Sequence, residues 1–304
     1  AQEFLCSSPV PRAGAGMELK PTPNPFLADG VRRDGRVLRE RRRARLQRSV
    51  FASTHGSASV RLGESAAVAG VSAQVTEVVP ELPPHGQIVV GVELPPLCSS
   101  VFRDRSRTWA LSTFLSSSLT EILNSSNVFN PEQLDIKEGQ LFWAVQVHVV
   151  CLNYDGNAFD LCLLTALAAL EDVCLPALVE DPAEPTTRLV TAPPETPDVV
   201  SEARRLSLKS RPLPVSFAQL PGERWVVDPA AFEEELGGAA VSLCLVGDRW
   251  LVYHHGGANA DRFLGELMPA ARACVPGLLQ LLDEPGDTSK EAGQTKSMVA
   301  GAAA

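Results

Sequence analysis

The 304-residue sequence lacks most of the short motifs that mark nucleotide-binding and catalytic sites. It contains no GxxxxGK[ST] or GxGxxG pattern, so we expect no nucleotide cofactor. A Gly-x-Ser-x-Gly elbow and a clear Cys/His pairing are also missing, which argues against nucleophilic catalysis. No run approaches the roughly 20 apolar residues of a membrane span, and the amino terminus does not have the charged-then-apolar pattern of a secretory signal. These absences predict a protein of the cytosol or nucleus with no membrane partner.

Residues at metal-ligand spacing are equally scarce. The seven cysteines form no CxxC pair, and most of them lie inside apolar runs, which favours buried free thiols over disulfides or zinc ligands. His254 and His255 are adjacent after a predicted strand, where neighbouring side chains point to opposite faces. Joint ligation by this pair is therefore awkward, and we predict no metal site.

Charge is unevenly distributed along the chain. The net charge of -9 and pI near 5.2 argue against nucleic-acid binding through overall charge. Residues 32–48 nevertheless hold nine arginines against Asp34 and Glu40. This arginine strip either is a solvated arm that pairs with acidic neighbours, or it meets phosphates or an acidic partner subunit.

The most informative stretch of the sequence begins at residue 142. Residues 142–152 are an almost unbroken run of β-branched, aromatic and aliphatic side chains, which predicts a strand covered on both faces in the middle of a sheet. Residues 153–157 supply one Gly and two Asn for a tight turn. Residues 158–173 then carry apolar side chains at helical spacing, so strand, turn and helix form a predicted packing nucleus. The predicted apolar stripe of that helix is Phe159, Leu163, Ala166, Leu167 and Leu170.

The remaining elements predict an α/β fold of two strand-rich halves with packed helices. Pro269 and Pro276 are expected to divide or kink the last helix. The predicted strands are 48–55, 57–62, 66–75 and 87–94 in the first half and 213–219, 224–227, 239–246 and 250–254 in the second, with helices at 108–123 and 260–282. The domain prediction is a flexible tail at 1–28, an N-terminal domain at 29–190, a linker at 191–212, a C-terminal domain at 213–283 and a flexible tail at 284–304.

Two groups of residues are candidates for chemistry. Asp155 and Asp160 flank the central turn, where a carboxylate can act as a general base or hold a metal, or can serve as a turn residue or helix cap. Arg103, Arg105 and Arg107 precede a predicted helix, where they form either an anion site or a solvated loop.

Several segments together resemble the RNase PH family, and most closely the catalytically silent ring subunits of the eukaryotic RNA exosome. The matching segments are Arg33-Asp34-Gly35-Arg36, residues 56–63, residues 92–99, residues 151–157 and residues 164–170. The resemblance implies an RNase PH-like fold of the ribosomal protein S5 domain 2-like type and a six-membered ring that threads RNA through a channel.

The resemblance also bears on activity. In active relatives a strand-end Asp acts in phosphorolysis while Arg and Ser residues hold phosphate, and Asp155 falls at that Asp position. The sequence departs from the active pattern after Asn157, and the Gly-Arg-Ser type phosphate loop ahead of the helix is missing. The resemblance therefore implies that no catalytic residue remains and that Asp155 is vestigial.

The implied function is a non-catalytic structural and RNA-path subunit that supports 3′-to-5′ RNA processing, including rRNA processing, and RNA degradation. RNA contacts are expected from Arg103, Arg105, Arg107 and Arg61. The implied partners are other RNase PH-like subunits, S1/KH-type cap proteins, associated exosome nucleases and RNA, in the nucleus, nucleolus and cytoplasm. Two alternatives stay open, an active phosphorolytic 3′-to-5′ exoribonuclease and an RNA-binding protein outside a ring.

Overall fold

The computed structural model describes residues 5–6, 31–77, 88–137, 140–180, 189–191, 203–236, 239–254 and 260–284. The strands in these ranges are β1 (Leu5–Cys6), β2 (Ala44–Arg48), β3 (Gly56–Leu62), β4 (Ser65–Glu77), β5 (Ile88–Glu93), β6 (Asp135–Lys137), β7 (Leu141–Asn153), β8 (Cys174–Leu175), β9 (Leu178–Glu180), β10 (Leu189–Thr191), β11 (Arg204–Arg205), β12 (Leu213–Leu220), β13 (Arg224–Val227), β14 (Ala240–Val246) and β15 (Arg249–His254). The α-helices are α1 (Arg105–Ser125), α2 (Ala158–Glu171), α3 (Ala231–Leu236) and α4 (Leu264–Asp283).

The first sheet is built around β7, the strand that the apolar run predicted. Its strand order is β2-β3-β4-β7-β5, and β6 pairs with the beginning of β7. β7 pairs antiparallel with β4 over almost its whole length and parallel with β5. The prediction of a central strand is confirmed, since β7 has paired strands on both sides. The prediction that both of its faces are covered is wrong, because burial alternates along β7: residues 143, 145, 147, 149 and 151 are buried, whereas His148 and Leu152 on the other face are exposed.

The second sheet comes from the carboxyl-terminal part of the chain, except for the two-residue strand β1. Its order is β1-β15-β14-β12-β13, and all pairs are antiparallel except the short β1–β15 pair. Gly247, at φ +59°, lies in the hairpin turn between β14 and β15. The predicted α/β fold with two strand-rich halves is therefore confirmed.

Helix α2 lies between the two sheets and joins their cores. It packs on β3, β4 and β7 on one side and on β12 on the other. Thirteen of its residues are buried, Asp160 included. The predicted one-sided stripe is wrong for this reason, since a helix covered from two sides is apolar all round. One continuous core includes residues from both halves of the chain.

Helix α1 covers the outer edge of β5. Its apolar side chains pack into the core, and its polar side chains bond to the backbone of β5. The backbone N–H groups of Ile88, Val90 and Val92 donate to side-chain oxygens of Asn124 (3.2 Å), Thr120 (3.0 Å) and Ser116 (2.9 Å). Because β5 has no strand beyond it in the order of this sheet, these bonds satisfy donors that would otherwise form an open sheet edge.

Two local predictions differ from the structure. The predicted strand 48–55 is wrong, because the strand at this position, β2, covers 44–48 and the chain then turns at Ser49, at φ +55°. Ser49 and Ser57 donate their N–H groups to the Asp172 carboxylate at 3.0 and 3.1 Å, which fixes the loop between them. The second difference is α4, which continues through both Pro269 and Pro276 as one helix.

Other sequence predictions fall partly outside the described ranges. The tails predicted at 1–28 and 284–304 lie outside them, apart from β1 and residue 284, and the domain boundaries stay predictions. The six cysteines at positions 98, 151, 162, 174, 244 and 274 are free thiols, and four of them are buried. No helix in the described ranges is long and apolar enough to cross a membrane.

Candidate functional site

The sheet topology brings the sequence-predicted site residues to one edge of the first sheet. β5 and β7 run parallel, so the segments that follow them, 94–104 and 154–157, leave the sheet at the same end. The β3–β4 hairpin turn lies at this end too, because Ala66 at the start of β4 pairs with Asn153 at the end of β7. We call this the strand-end edge.

Asp155 lies at the centre of the strand-end edge with its side chain 43% exposed. Its backbone N–H donates to Ser65 Oγ at 3.0 Å, and its carbonyl oxygen accepts from Arg42 Nη1 at 2.6 Å. The carboxylate itself is 3.7 Å from the same Nη1 atom. The backbone of Asp155 is thus held firmly, whereas its carboxylate faces solvent beside a single guanidinium among the described residues.

The guanidinium of Arg42 forms its ion pair mainly with another carboxylate, that of Asp228. Arg42 donates to both carboxylate oxygens of Asp228, from Nη2 at 2.7 Å and from Nε at 3.0 Å, and both side chains are almost fully buried. Burial by itself would raise the pKa of Asp228, but the hydrogen bonds and charge of Arg42 outweigh it and hold this pKa well below its usual range. The Arg42–Asp228 pair is a bidentate ion pair between the two halves of the chain.

A second acid fixes the turn from the side of α3. Asn157, at φ +57°, is the N-cap of α2, and its N–H donates to Glu234 Oε1 at 2.7 Å while its side chain donates to Asp228 at 2.7 Å. Tyr154 donates its hydroxyl to the other Glu234 oxygen. Burial raises the pKa of Glu234 to about 6, and burial beside this carboxylate raises the pKa of Tyr154 well above its usual value.

Asp160 lies apart from this edge, in the core between α2 and β12. Its carboxylate accepts from Ser216 Oγ at 2.6 Å and from the Ser216 N–H at 3.2 Å, and it lies 3.4 Å from Arg41 Nη2. Burial raises its pKa despite the nearby Arg41 charge. Of the two carboxylates that flank the turn, only Asp155 therefore reaches solvent, and the helix cap is neither of them but Asn157.

The three predicted arginines after β5 lie on the same edge. The prediction that all three precede the helix is wrong, because α1 begins at Arg105: Arg103 ends a 3-10 helix, whereas Arg105 and Arg107 lie in the first turn of α1. Arg103 and Arg105 are exposed, and Arg107 is 3.5 Å from the carboxylate of Asp104. This segment contacts the turn directly, because the Tyr154 N–H donates to Cys98 O at 3.2 Å and its ring lies 4.8 Å from that of Phe102.

Arg61, the fourth predicted RNA contact, lies beside the hairpin turn of the edge. Its Nη2 atom is 3.0 Å from the Glu64 carboxylate, and its Nε donates to Gly63 O at 2.9 Å. Across the β2–β3 pair it is opposite Arg45, which is also exposed. The structure thus brings all four predicted arginines and Asp155 to one edge.

Five of the nine members of the arginine strip form ion pairs inside this chain, as one of the two interpretations expected, but their side chains are largely buried and do not form a solvated arm. Arg32 is fully buried and binds Glu233, with its Nε 2.7 Å from Oε1 and its Nη1 donating to Val227 O at 2.7 Å. Arg48 pairs with Glu171 at 2.6 Å. The strip therefore joins the two halves, and the sequence could not reveal this because the acidic partners lie more than 100 residues away.

Sequence reasoning missed Arg42, Asp228 and Glu234 as members of the site, and it also missed Trp109. The indole of Trp109 on α1 is 71% exposed and lies one helical turn after Arg105. Its only signal in the sequence is an aromatic residue off the apolar stripe of a predicted amphipathic helix.

Two other features of the described residues do not form a competing site. A surface cleft of about 630 Å³ includes Arg48, Arg205 and Arg211, but each of these pairs with a carboxylate of the chain. The described ranges contain no cluster of three or more His, Cys, Asp or Glu side chains that could hold a metal ion.

Comparison with known proteins shows which proteins this chain is similar to. The model of the 3′ exoribonuclease (RNase PH) family, domain 1, matches residues 40–176. The chain is 33% identical over 230 residues to the exosome complex component rrp43 of Schizosaccharomyces pombe, covering 74% of this chain and 81% of that protein. It is 28% identical over 261 residues to the exosome complex component Rrp42 of Methanothermobacter thermautotrophicus, covering 83% and 89%.

A solved structure shares the fold over most of the chain. A chain of the Archaeoglobus fulgidus exosome with RNA bound to the active site superposes with a TM-score of 0.69 and 28% identity. The superposition covers 84% of this chain and 93% of that one. Both halves of the molecule are therefore included in the similarity.

Proposed function

Because the chain belongs to the RNase PH family of 3′ exoribonucleases, we propose that it is a non-catalytic ring subunit of an exosome, which guides RNA during 3′-to-5′ processing and degradation. The relatives named above are exosome components of similar length. A similar solved structure belongs to an exosome that holds RNA. These similarities support assembly into a ring and contact with RNA. The geometry of the strand-end edge supports the absence of catalysis.

The observation that supports the absence of catalysis is that Arg42 is already held in an ion pair with Asp228. Phosphorolysis needs a phosphate held beside the acid by cations that are free to bind it. Among the described residues, Arg42 is the single cation within 4 Å of the Asp155 carboxylate, and it already binds Asp228 and the carbonyl oxygens of Asp155 and Gly156. Arg42 is therefore not free to hold a phosphate beside Asp155, and we infer that Asp155 is a turn residue rather than a general acid or base.

The RNA contacts in this proposal are electrostatic. Arg103 and Arg105 are exposed at the strand-end edge, and Arg61 and Arg107 lie beside them with one acidic neighbour each. Contacts to phosphates carry no sequence information and weaken with salt. Replacing Arg103, Arg105 and Arg107 together with alanine is expected to reduce the length of RNA that the assembled ring protects from nuclease.

The partners in this proposal are other RNase PH-like chains in a six-membered ring, with S1/KH-type cap proteins and associated nucleases bound to it. We place the particle in the nucleus, nucleolus and cytoplasm. The chain's acidic body and its exposed strand edges offer surfaces for these neighbours.

A phosphorolysis assay on the assembled particle tests the proposal. The full chain is co-expressed with RNase PH-like partners, and the purified ring is incubated with RNA and inorganic phosphate while nucleoside diphosphates are measured. We expect stoichiometric co-purification, and equal release from rings with wild-type chain and with Asp155→Asn. Release by the isolated chain that Asp155→Asn abolishes would instead identify an active phosphorolytic exoribonuclease. A chain that binds RNA tightly but never joins a ring would contradict the assembly part.

A further inference from the structure

We propose that Trp109 is a base-stacking platform for single-stranded RNA, with Arg103 and Arg105 holding the adjoining phosphates. The inference rests on the proposed function, because it names the chemistry by which the strand-end edge would hold RNA. It adds a contact to the bases that the arginines alone do not supply.

The exposure of Trp109 is unusual for this chain. Its indole is 71% exposed, whereas Trp143 is 2% exposed and Trp225 packs against Phe263 with ring centroids 5.5 Å apart. The apolar side chains of α1 such as Leu115 and Leu119 are buried in the core. Trp109 therefore contributes little to folding through burial, and its aromatic face is available to a ligand.

The segment that carries Trp109 is fixed by hydrogen bonds. Thr108 Oγ1 donates to the carbonyl oxygens of Phe102, at 3.1 Å, and Asp104, at 2.8 Å. The Asp104 carboxylate accepts from the Ser106 N–H at 3.1 Å and so begins the helix. A rigid aromatic platform loses little conformational entropy when a base stacks on it, which favours binding.

The charge around the indole fits a polyanion. Residues 103–107 hold three arginines against Asp104, whose carboxylate lies 3.5 Å from Arg107. In the described part of the chain, no carboxylate lies within 4 Å of the guanidinium of Arg103 or Arg105. Cationic side chains beside an exposed aromatic ring are the combination that binds single-stranded nucleic acid without sequence preference.

The surroundings favour RNA over a protein neighbour as the occupant. One helical turn beyond Trp109, on the same face, α1 presents exposed Thr113 and then exposed Ser117, so no apolar surface continues from the indole along the helix. A stable protein interface buries about 800 Å² on each partner around a well-packed apolar centre. Leu97, 95% exposed in the segment after β5, provides a means of testing the protein alternative.

Binding of RNA by the assembled particle tests the inference. The dissociation constant is measured by fluorescence anisotropy for a single-stranded oligonucleotide and for the same length with abasic positions, over a range of salt concentrations. Trp109→Ala is expected to weaken binding of the normal oligonucleotide about 5- to 150-fold, the range that stacking of one base implies. Trp109→Phe should recover most of this loss, and Thr113→Ala on the same face should cause none.

The abasic oligonucleotide separates stacking from charge. If Trp109 stacks on a base, Trp109→Ala has no effect on abasic RNA and leaves the salt slope unchanged. Arg105→Gln should instead lower the slope of log K against log salt by about 0.7, the value for one phosphate contact to a single strand. Equal losses on both oligonucleotides, or no loss on either, would overturn the inference while the arginine contacts of the proposed function stand.

Two further results would overturn it differently. If Trp109→Ala and Leu97→Ala both reduce recovery of the assembled ring without changing its RNA affinity, the surface binds a protein neighbour instead. A wild-type ring that binds no RNA would overturn the proposed function itself, and the stacking inference with it.

Discussion

At the scale of single residues, the strand-end edge is governed by which charges are already paired. Arg42 is the described cation nearest to the Asp155 carboxylate, yet its guanidinium forms a bidentate ion pair with the carboxylate of Asp228. Both members of that pair are buried, so their attraction is little screened by water. A buried pair of this kind fixes geometry, and it removes Arg42 from the set of groups that could bind a substrate phosphate.

Replacing Asp228 should therefore destabilise the fold strongly. Asp228→Asn leaves the buried Arg42 charge without its carboxylate, and we expect the free energy of unfolding to fall by about 3–5 kcal/mol. Urea unfolding followed by circular dichroism measures the change. The control is Glu64→Gln, which breaks the exposed pair with Arg61 and should change the free energy of unfolding by less than about 1 kcal/mol. Equal effects of the two substitutions would contradict the assigned role of the buried pair.

Glu234 should make stability depend on pH between about 4.5 and 6. Its pKa is about 6 in the folded protein, raised from 4.5, so the folded state retains a proton that the unfolded chain has released. The contribution of Glu234 is therefore fully present below pH 4.5 and is lost as the pH rises through 6, by roughly 2 kcal/mol at most. Asp228 has the opposite effect. Because its pKa is lowered in the folded protein, its contribution to the free energy of unfolding is present at neutral pH and is lost only as the pH falls below about 4.

The variant Glu234→Gln isolates this effect, because the amide can still bond to Tyr154 and the Asn157 N–H without titrating. The difference in unfolding free energy between wild type and Glu234→Gln should decline from pH 4.5 to 6 and then level off. Glu235→Gln, at the exposed neighbouring position, is the control and should show a flat difference. A flat difference for Glu234→Gln would mean that its carboxyl titrates normally.

At the scale of elements, α1 both packs on the core and closes the edge of the first sheet. Its side chains at positions 112, 116, 120 and 124 recur every four residues and so lie along one face of the helix. Each of them bonds to the backbone of β5, with Ser112 donating to Val92 O and Asn124 donating to Ile88 O at 2.8 Å. An unprotected strand edge would be able to pair with another chain and aggregate.

Thr120→Val should show how much this closure contributes. The substitution keeps the shape of the side chain but leaves the Val90 N–H without its acceptor, which is expected to cost about 1–3 kcal/mol. Thr113→Val changes the same residue type at an exposed position of α1 and should cost less than about 0.5 kcal/mol. Thermal unfolding measures the stability of both variants, and light scattering measures aggregation, which should increase for Thr120→Val alone.

At the scale of the whole molecule, the two halves meet at the turn after β7. Gly156, at φ +82°, lies so close to the segment before α3 that an added Cβ atom would be 2.5 Å from the carbonyl oxygen of Pro229. Arg32 and Arg42 hold the same segment through Glu233 and Asp228. Close backbone approach and buried ion pairs thus fix the second half on the first, which a rigid wall of a ring requires.

Gly156→Ala should therefore disrupt the joint between the halves. Gly222 provides a matched control, because it has a similar φ of +86° but open space around it. Gly222→Ala should cost only the backbone strain of about 1–2 kcal/mol, whereas Gly156→Ala adds a steric clash and should cost more than about 3 kcal/mol. Urea unfolding and the yield of assembled ring are the measurements. Similar costs for the two variants would show that the halves do not depend on this contact.

Local sequence patterns were sufficient to predict the packing nucleus and the fold class. The apolar run at 142–152 predicted a central strand and the Asn and Gly residues after it a tight turn, so local chemistry was sufficient there, although one face of β7 is less buried than the run indicated. The sequence also identified Asp155 and the four candidate arginines. The fold then explains why they lie at one edge, because the parallel strands β5 and β7 end side by side.

The pairing of the charged side chains could not be predicted in the same way. The arginine strip and the acids at 228, 233 and 234 are visible in the sequence, but pairing between them depends on two sheets packing on α2, and no local pattern specifies such contacts. The same holds for Asp160. It lies outside the apolar stripe predicted for this helix, but the second sheet buries it through contact with Ser216. Local propensity acts over a few residues, whereas burial and ion pairing are set by neighbours that lie more than 50 residues away, and these determine which groups remain free to bind RNA.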